Sequence, residues 1–143
     1  MKDIDEITGD VLDVALRLHK QLGPGLLESV YEGLLAARLG KMGYAVAVQQ
    51  PISVDFEGIH FEAAFRADLI VDARLLIEIK SLERLAPVHS KQVLTYLRLL
   101  DQPVGLLINF GCETLKEGVK RIVHAYRPSA SPRLRVNQST ESE

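Results

Sequence analysis

Apolar positions along this chain switch between a helical period and strict alternation, and each switch marks an element. From Asp3 to about Leu22, Ile7, Val11, Val14, Ala15 and Leu18 recur at helical spacing, with Asp3 or Asp5 as caps, and predict an amphipathic first helix. Gly23-Pro24-Gly25 breaks it. A second helix is predicted from about Leu26 to Met42, with Leu27, Val30, Leu34, Leu35 and Leu39 on its apolar face and Gly43 at its end. Tyr44 to Gln50 alternates as a strand that Pro51 should end, Ile52, Val54 and Phe56 alternate again, and Glu57-Gly58 turns the chain into Ile59 to Phe65. After a loop from Ser81 to Pro87, a helix over Val88 to Leu100 carries Val93, Leu97 and Leu100 on one stripe and His89, Gln92, Tyr96 and Leu99 on another. Val104 to Phe110 is continuously apolar, as expected of a strand covered on both faces. Thr114-x-x-Glu117 reads as a capping box and predicts a last helix that packs Leu115, Val119, Ile122, Val123 and Tyr126 inward.

One stretch conflicts with its own pattern. Arg66 to Lys80 is an apolar run of strand-forming residues, yet it carries Asp68, Glu78 and Lys80. If the run is an antiparallel hairpin turning through Asp72, Ala73 and Arg74, then Val71 faces Leu75, Asp68 stands opposite Glu78, and Arg66 stands opposite Lys80. Asp68, Glu78 and Lys80 then share one side of the sheet, and Leu69, Val71, Leu75, Ile77 and Ile79 fill the other. A two-residue loop would separate the carboxylates, so the reading depends on one register. Two opposed carboxylates repel, and a hard divalent cation would relieve them, with Lys80 placed to hold an attacking water or a phosphoryl oxygen. The plainer alternative is a salt-bridged rim in which Lys80 neutralises Glu78 and no metal binds.

Composition narrows the class. The 143 residues, 47% apolar and 25% charged, describe one globular domain over residues 1–127 with a polar tail over 128–143. A net charge of −2 argues against nucleic-acid binding by bulk charge but leaves room for a local basic patch, for which Lys116, Lys120, Arg121 and Arg127 are candidates. The single Cys112 cannot form an internal disulfide and reads as structural. With neither a signal peptide nor an apolar run long enough to span a bilayer, the cytoplasm is the expected compartment. On helix physics alone, Glu28 is a first-turn acid favoured by the dipole, Tyr31 a half-buried aromatic, and Gln92 and His89 surface residues.

Asp68…Glu78-Ile79-Lys80 resembles the core of the PD-(D/E)XK nuclease superfamily, with Ala67 where that pattern has proline. Gly25-Leu-Leu-Glu28-Ser-Val-Tyr31 resembles the signature of the GxxExxY family within it, as do Phe65-Arg66-Ala67-Asp68, Pro87-Val88-His89 followed by Gln92, and Gly105 to Gly111. The resemblance covers roughly residues 5 to 125 and implies an α/β, restriction-endonuclease-like fold with a central four-stranded mixed β-sheet flanked by α-helices. It implies Asp68, Glu78, Glu28 and the carbonyl of Ile79 as ligands of Mg²⁺, for which Mn²⁺ can substitute, and Lys80 as the residue that orients the nucleophilic water. Gln92 and Tyr96 complete the implied catalytic set, and Tyr31, Arg66 and His89 support it or the substrate. The expected activity is hydrolysis of phosphodiester bonds in DNA, with RNA second, by a chain that a second copy could join as a homodimer. The alternative is a non-catalytic binding or assembly module on the same fold.

Overall fold

The computed structural model describes residues 2–125. Tyr126, Arg127 and the expected tail over 128–143 lie outside the described residues. Helix α1 spans Ile4–Leu22, and the Asp3 carboxylate accepts from the Glu6 N–H while Glu6 reaches back to the Asp3 N–H. Helix α2 spans Glu28–Lys41. Strands β1 (Val46–Phe56), β2 (Ile59–Val71) and β3 (Leu75–Lys80) form an antiparallel meander. Helix α3 (Pro87–Leu100) carries the chain over to β4 (Val104–Asn109), which runs parallel to β3. A short α4 (Leu115–Gly118) and strand β5 (Val119–Val123) follow, giving one mixed sheet in the order β1-β2-β3-β4-β5.

Two apolar layers sandwich this sheet. On one face, Ile7, Val11 and Leu18 of α1 and Tyr31, Leu35 and Leu39 of α2 pack on Leu69, Val71, Leu75, Ile77, Ile79, Leu106 and Ile108. On the other, Val93 and Leu97 of α3 pack on Phe65, Ala67, Leu76 and Leu107. Gly105 lets α3 approach closely, since a Cβ there would lie 3.1 Å from Val93 and 3.2 Å from Leu97. The result is the α/β architecture expected, with three departures.

The sheet has five strands rather than four. Thr114 and Glu117 do form their expected contact, the carboxylate accepting from the Thr114 hydroxyl at 2.7 Å, but the helix lasts only four residues. A Cβ on Gly118 would sit 2.2 Å from the Asn109 carbonyl oxygen, so the backbone here lies directly against β4. The β-branched Val119, Ile122 and Val123 then pair antiparallel with β4. Arg121, expected on a basic helix face, instead lies on this edge strand and pairs with Asp5 at 2.7 Å.

Pro51 does not end β1 but lies within it, opposite Arg66. Because β1 is an edge strand, its outward side needs no ladder donor, and proline is tolerated there. On α2, the inward stripe is Tyr31, Leu35 and Leu39, whereas Leu27, Val30 and Leu34 are exposed. The helix also begins two residues later than predicted, at Glu28.

Candidate active site

The hairpin register is the one on which the carboxylate reading depends. Val71 pairs with Leu75, Ile70 with Leu76 and Leu69 with Ile77, through the three-residue loop Asp72 to Arg74. Asp72 and Ala73 both have positive φ, the Arg74 N–H donates to the Val71 carbonyl, and the Asp72 carboxylate accepts from the Ala45 N–H at 2.8 Å. Continuing that register sets Asp68 opposite Glu78.

At Asp68 the ladder opens. Phe65 and Ala67 pack on the α3 side while Leu69 and Val71 pack on the α1–α2 side, so β2 turns over at Asp68 rather than alternating through it. Backbone pairing to β3 gives way to side chains: the Asp68 N–H donates to Glu78 Oε1 at 3.3 Å, and the Ile79 N–H donates to Asp68 Oδ2 at 2.8 Å. The two carboxylates therefore meet across the mouth of the opened ladder.

Their electrostatics follow from that placement. Glu78 is only 4% exposed, and its burial, with the Asp68 charge beside it, pushes its carboxyl up from 4.5 to about 8. The Lys80 ammonium acts in the opposite direction from a distance, but it makes no salt bridge with Glu78. The rim alternative, in which Lys80 neutralises Glu78 by direct pairing, is not the arrangement adopted. Half-buried Lys80 has no side-chain hydrogen bond or ion pair to a described residue.

The helices bring further groups. Glu28, in the first turn of α2, accepts from the Ser81 N–H at 3.4 Å, next to Lys80. Tyr96 of α3 stacks on Phe65 with ring centroids 3.9 Å apart. Its hydroxyl is pushed up by burial first and then by the charges of Glu78 and Asp68, which keeps it a proton donor beside them. Gln92 is exposed one turn earlier and makes no side-chain hydrogen bond to a described residue. Arg66 donates to the Gln49 carbonyl at 3.3 Å and does not pair with β3.

Two of the implied support residues make structural contacts of their own. Tyr31 is fully buried, stacks on Phe110 at 4.3 Å, and closes the Gly23-Pro24-Gly25 turn by donating to the Gly23 carbonyl and accepting from the Leu26 N–H. His89 accepts from the Ala86 N–H through Nδ1, so its ring caps the start of α3.

Three residues around this end of the sheet have roles that the sequence reading does not assign. Glu32 lies one turn beyond Glu28, a spacing that helical geometry could have flagged. Gln49 joins Glu32 to Asp68. Asn109, fully buried, receives the Leu82 and Gly111 N–H groups on Oδ1 and donates Nδ2–H to the Leu82 carbonyl and to Cys112 Sγ, fixing the loop by which the chain leaves Lys80. Gly111 is required there, because a Cβ would fall 2.1 Å from the Leu82 oxygen.

Among the described residues no three His, Cys, Asp or Glu side chains form a ready metal cage. The pair itself still fits a hard divalent ion, which is held through one or two carboxylates while water and phosphate oxygens complete its shell. No helix among the described residues is long and apolar enough to cross a membrane. A search of curated proteins returns no match. Among solved structures, that of SSO0001 is similar at 17% identity and a TM-score of 0.41, over 95% of this chain and 85% of that one. A model of the PD-(D/E)XK nuclease superfamily matches residues 5–122, from within the first helix into β5, and so takes in both strands that carry the carboxylates. The chain belongs to the PD-(D/E)XK nuclease superfamily.

Proposed function

We propose that this chain is a Mg²⁺-dependent nuclease that hydrolyses phosphodiester bonds in DNA, with Glu28, Asp68, Glu78 and Lys80 as its working set. The observation that carries the reading is the meeting of Asp68 and Glu78 at the opened ladder with the Lys80 ammonium, which pairs with no described residue, on the same strand end. Asp68, Glu78, the Ile79 carbonyl and Glu28 would hold the cation, and Mn²⁺ would serve as well. A divalent ion at this pair supplies neutralisation of the two carboxylates and Lewis-acid polarisation of the scissile phosphate.

The chain's own groups do the rest. Lys80 has N–H donors to spare and stabilises the incoming hydroxide and the negative charge that develops on the phosphoryl oxygens. The protonated Tyr96 hydroxyl and the Gln92 amide donate to the phosphate from α3. We also place the chain with the GxxExxY proteins: Gly25 has φ +102, Glu28 reaches Ser81, and Tyr31 locks the turn between them.

Purified protein given duplex DNA, single-stranded DNA and RNA with Mg²⁺ or Mn²⁺ provides the test. Cleavage of DNA is expected, lost on chelation and reduced about 10³-fold or more in Asp68→Ala. No cleavage of any substrate, or equal cleavage by Asp68→Ala, overturns the proposal. Divalent binding by calorimetry without turnover would instead support a non-catalytic module.

A further inference from the structure

Gln49 stands at an irregular point of β1. Val48 pairs with Leu69 and Gln50 with Ala67, which brings Gln49 beside Asp68 where the regular pairing lapses. Its φ is +51, a left-handed conformation unusual inside a strand for any residue but glycine. Its amide nitrogen lies 2.8 Å from Glu32 Oε2 and 3.0 Å from Asp68 Oδ1. Carboxylates only accept, so the amide's two hydrogens are divided between them, one to each. Arg66 holds the Gln49 carbonyl at 3.3 Å, bracing the same residue from β2.

Asp68 is thereby gripped on both oxygens: Oδ2 by the Ile79 N–H and Oδ1 by Gln49. The Ile79 contact ties it to β3, and the Gln49 contact ties it through Glu32 to α2. The amide also separates two acids that repel each other, since Glu32 is pushed up by burial and by the charges of Asp68 and Glu28, and Gln49 counters that shift.

We infer that Gln49 is a positioning residue: it orients the Asp68 carboxylate for a divalent cation and couples that orientation to the docking of α2 through Glu32. This rests on the metal-site reading above. An irregular backbone in an edge strand thus aims a side chain at the site, as such irregularities often do. The partner that fixes a ligand's direction contributes to affinity without touching the ion.

Mn²⁺ titration by calorimetry of the full chain tests it. Gln49→Gly suits the left-handed backbone and removes the side chain with its amide, and Gln49→Glu keeps the shape while replacing the donor with a charge. Each is expected to weaken Mn²⁺ binding roughly tenfold or more while the circular dichroism stays that of the wild type. Glu32→Gln retains an oxygen acceptor for Gln49 and should bind Mn²⁺ near wild-type affinity, whereas Glu32→Ala should lose it in part. Wild-type affinity in Gln49→Gly overturns the inference alone. Absence of Mn²⁺ binding to the wild type overturns the metal-site reading and the inference with it.

Discussion

Glu78 is the residue at which folding and chemistry pull hardest against each other. It is buried beside Asp68, and its carboxyl titrates near 8 rather than 4.5. Because the folded state favours the protonated form, its contribution to stability is full below pH 4.5 and is lost as the pH rises through 8. Glu78→Gln mimics the protonated form at every pH. In chelator, the variant's stability advantage should therefore widen from pH 5 to pH 9, reaching about 2 kcal/mol or more by denaturant unfolding. An advantage that stays constant over that range contradicts the account. Glu28 and Lys80 are more exposed, and their value lies in what they can reach.

At the scale of elements, the site depends on how the chain leaves β3. Buried Asn109 at the end of β4 holds Leu82 by both its N–H and its carbonyl, so the Lys80 end of β3 is clamped to the parallel strand beside it. Asn109→Ala leaves those two groups without partners and should cost about 2 to 3 kcal/mol in denaturant unfolding; a loss under about 0.5 kcal/mol would show that the loop satisfies itself another way. The hairpin that pairs Asp68 with Glu78 was legible in the sequence, because alternation and the Asp72 to Arg74 turn admit one register that buries the apolar side. Strand β5 was not. The capping box at Thr114 is genuine, but the end of the helix is dictated by contact of Gly118 with Asn109, and that contact belongs to the tertiary structure. The inward stripe on α2 is hidden for a similar reason: Leu27, Val30 and Leu34 have the right spacing, and which side of a helix faces inward depends on its neighbours. Gln49 was invisible because its role comes from a left-handed backbone that a glutamine does not advertise.

Over the whole molecule, charge decides how substrate can be held. A net charge of −2 and an acidic site give nucleic acid little to bind by bulk attraction. The arm formed by β1 and β2 beyond the sheet has Asp55, Glu57 and Glu62 and, between Val46 and Phe65, neither lysine nor arginine, so it offers no phosphate contact of that kind. Binding should then require the cation as bridge. In electrophoretic mobility shifts, DNA is expected to be retained with Ca²⁺, which binds carboxylates without supporting turnover, and released by chelator at the same ionic strength. Equal retention in chelator would mean that a basic surface, not the acidic pair, holds the substrate.

The grip of Asp68 on the Ile79 N–H makes that carboxylate a structural part of the sheet as well as a candidate ligand. Selection for folding alone would preserve it, whereas buried Glu78 is destabilising when ionised, and a glutamine there would still accept from the Asp68 N–H. A lineage that had abandoned catalysis would still carry Asp68 long afterwards. Lys80 has no such second duty, since its ammonium holds nothing in the described fold together. Among descendants of this sequence, drift at positions 78 and 80, rather than at position 68, is therefore the earlier and clearer record of lost activity.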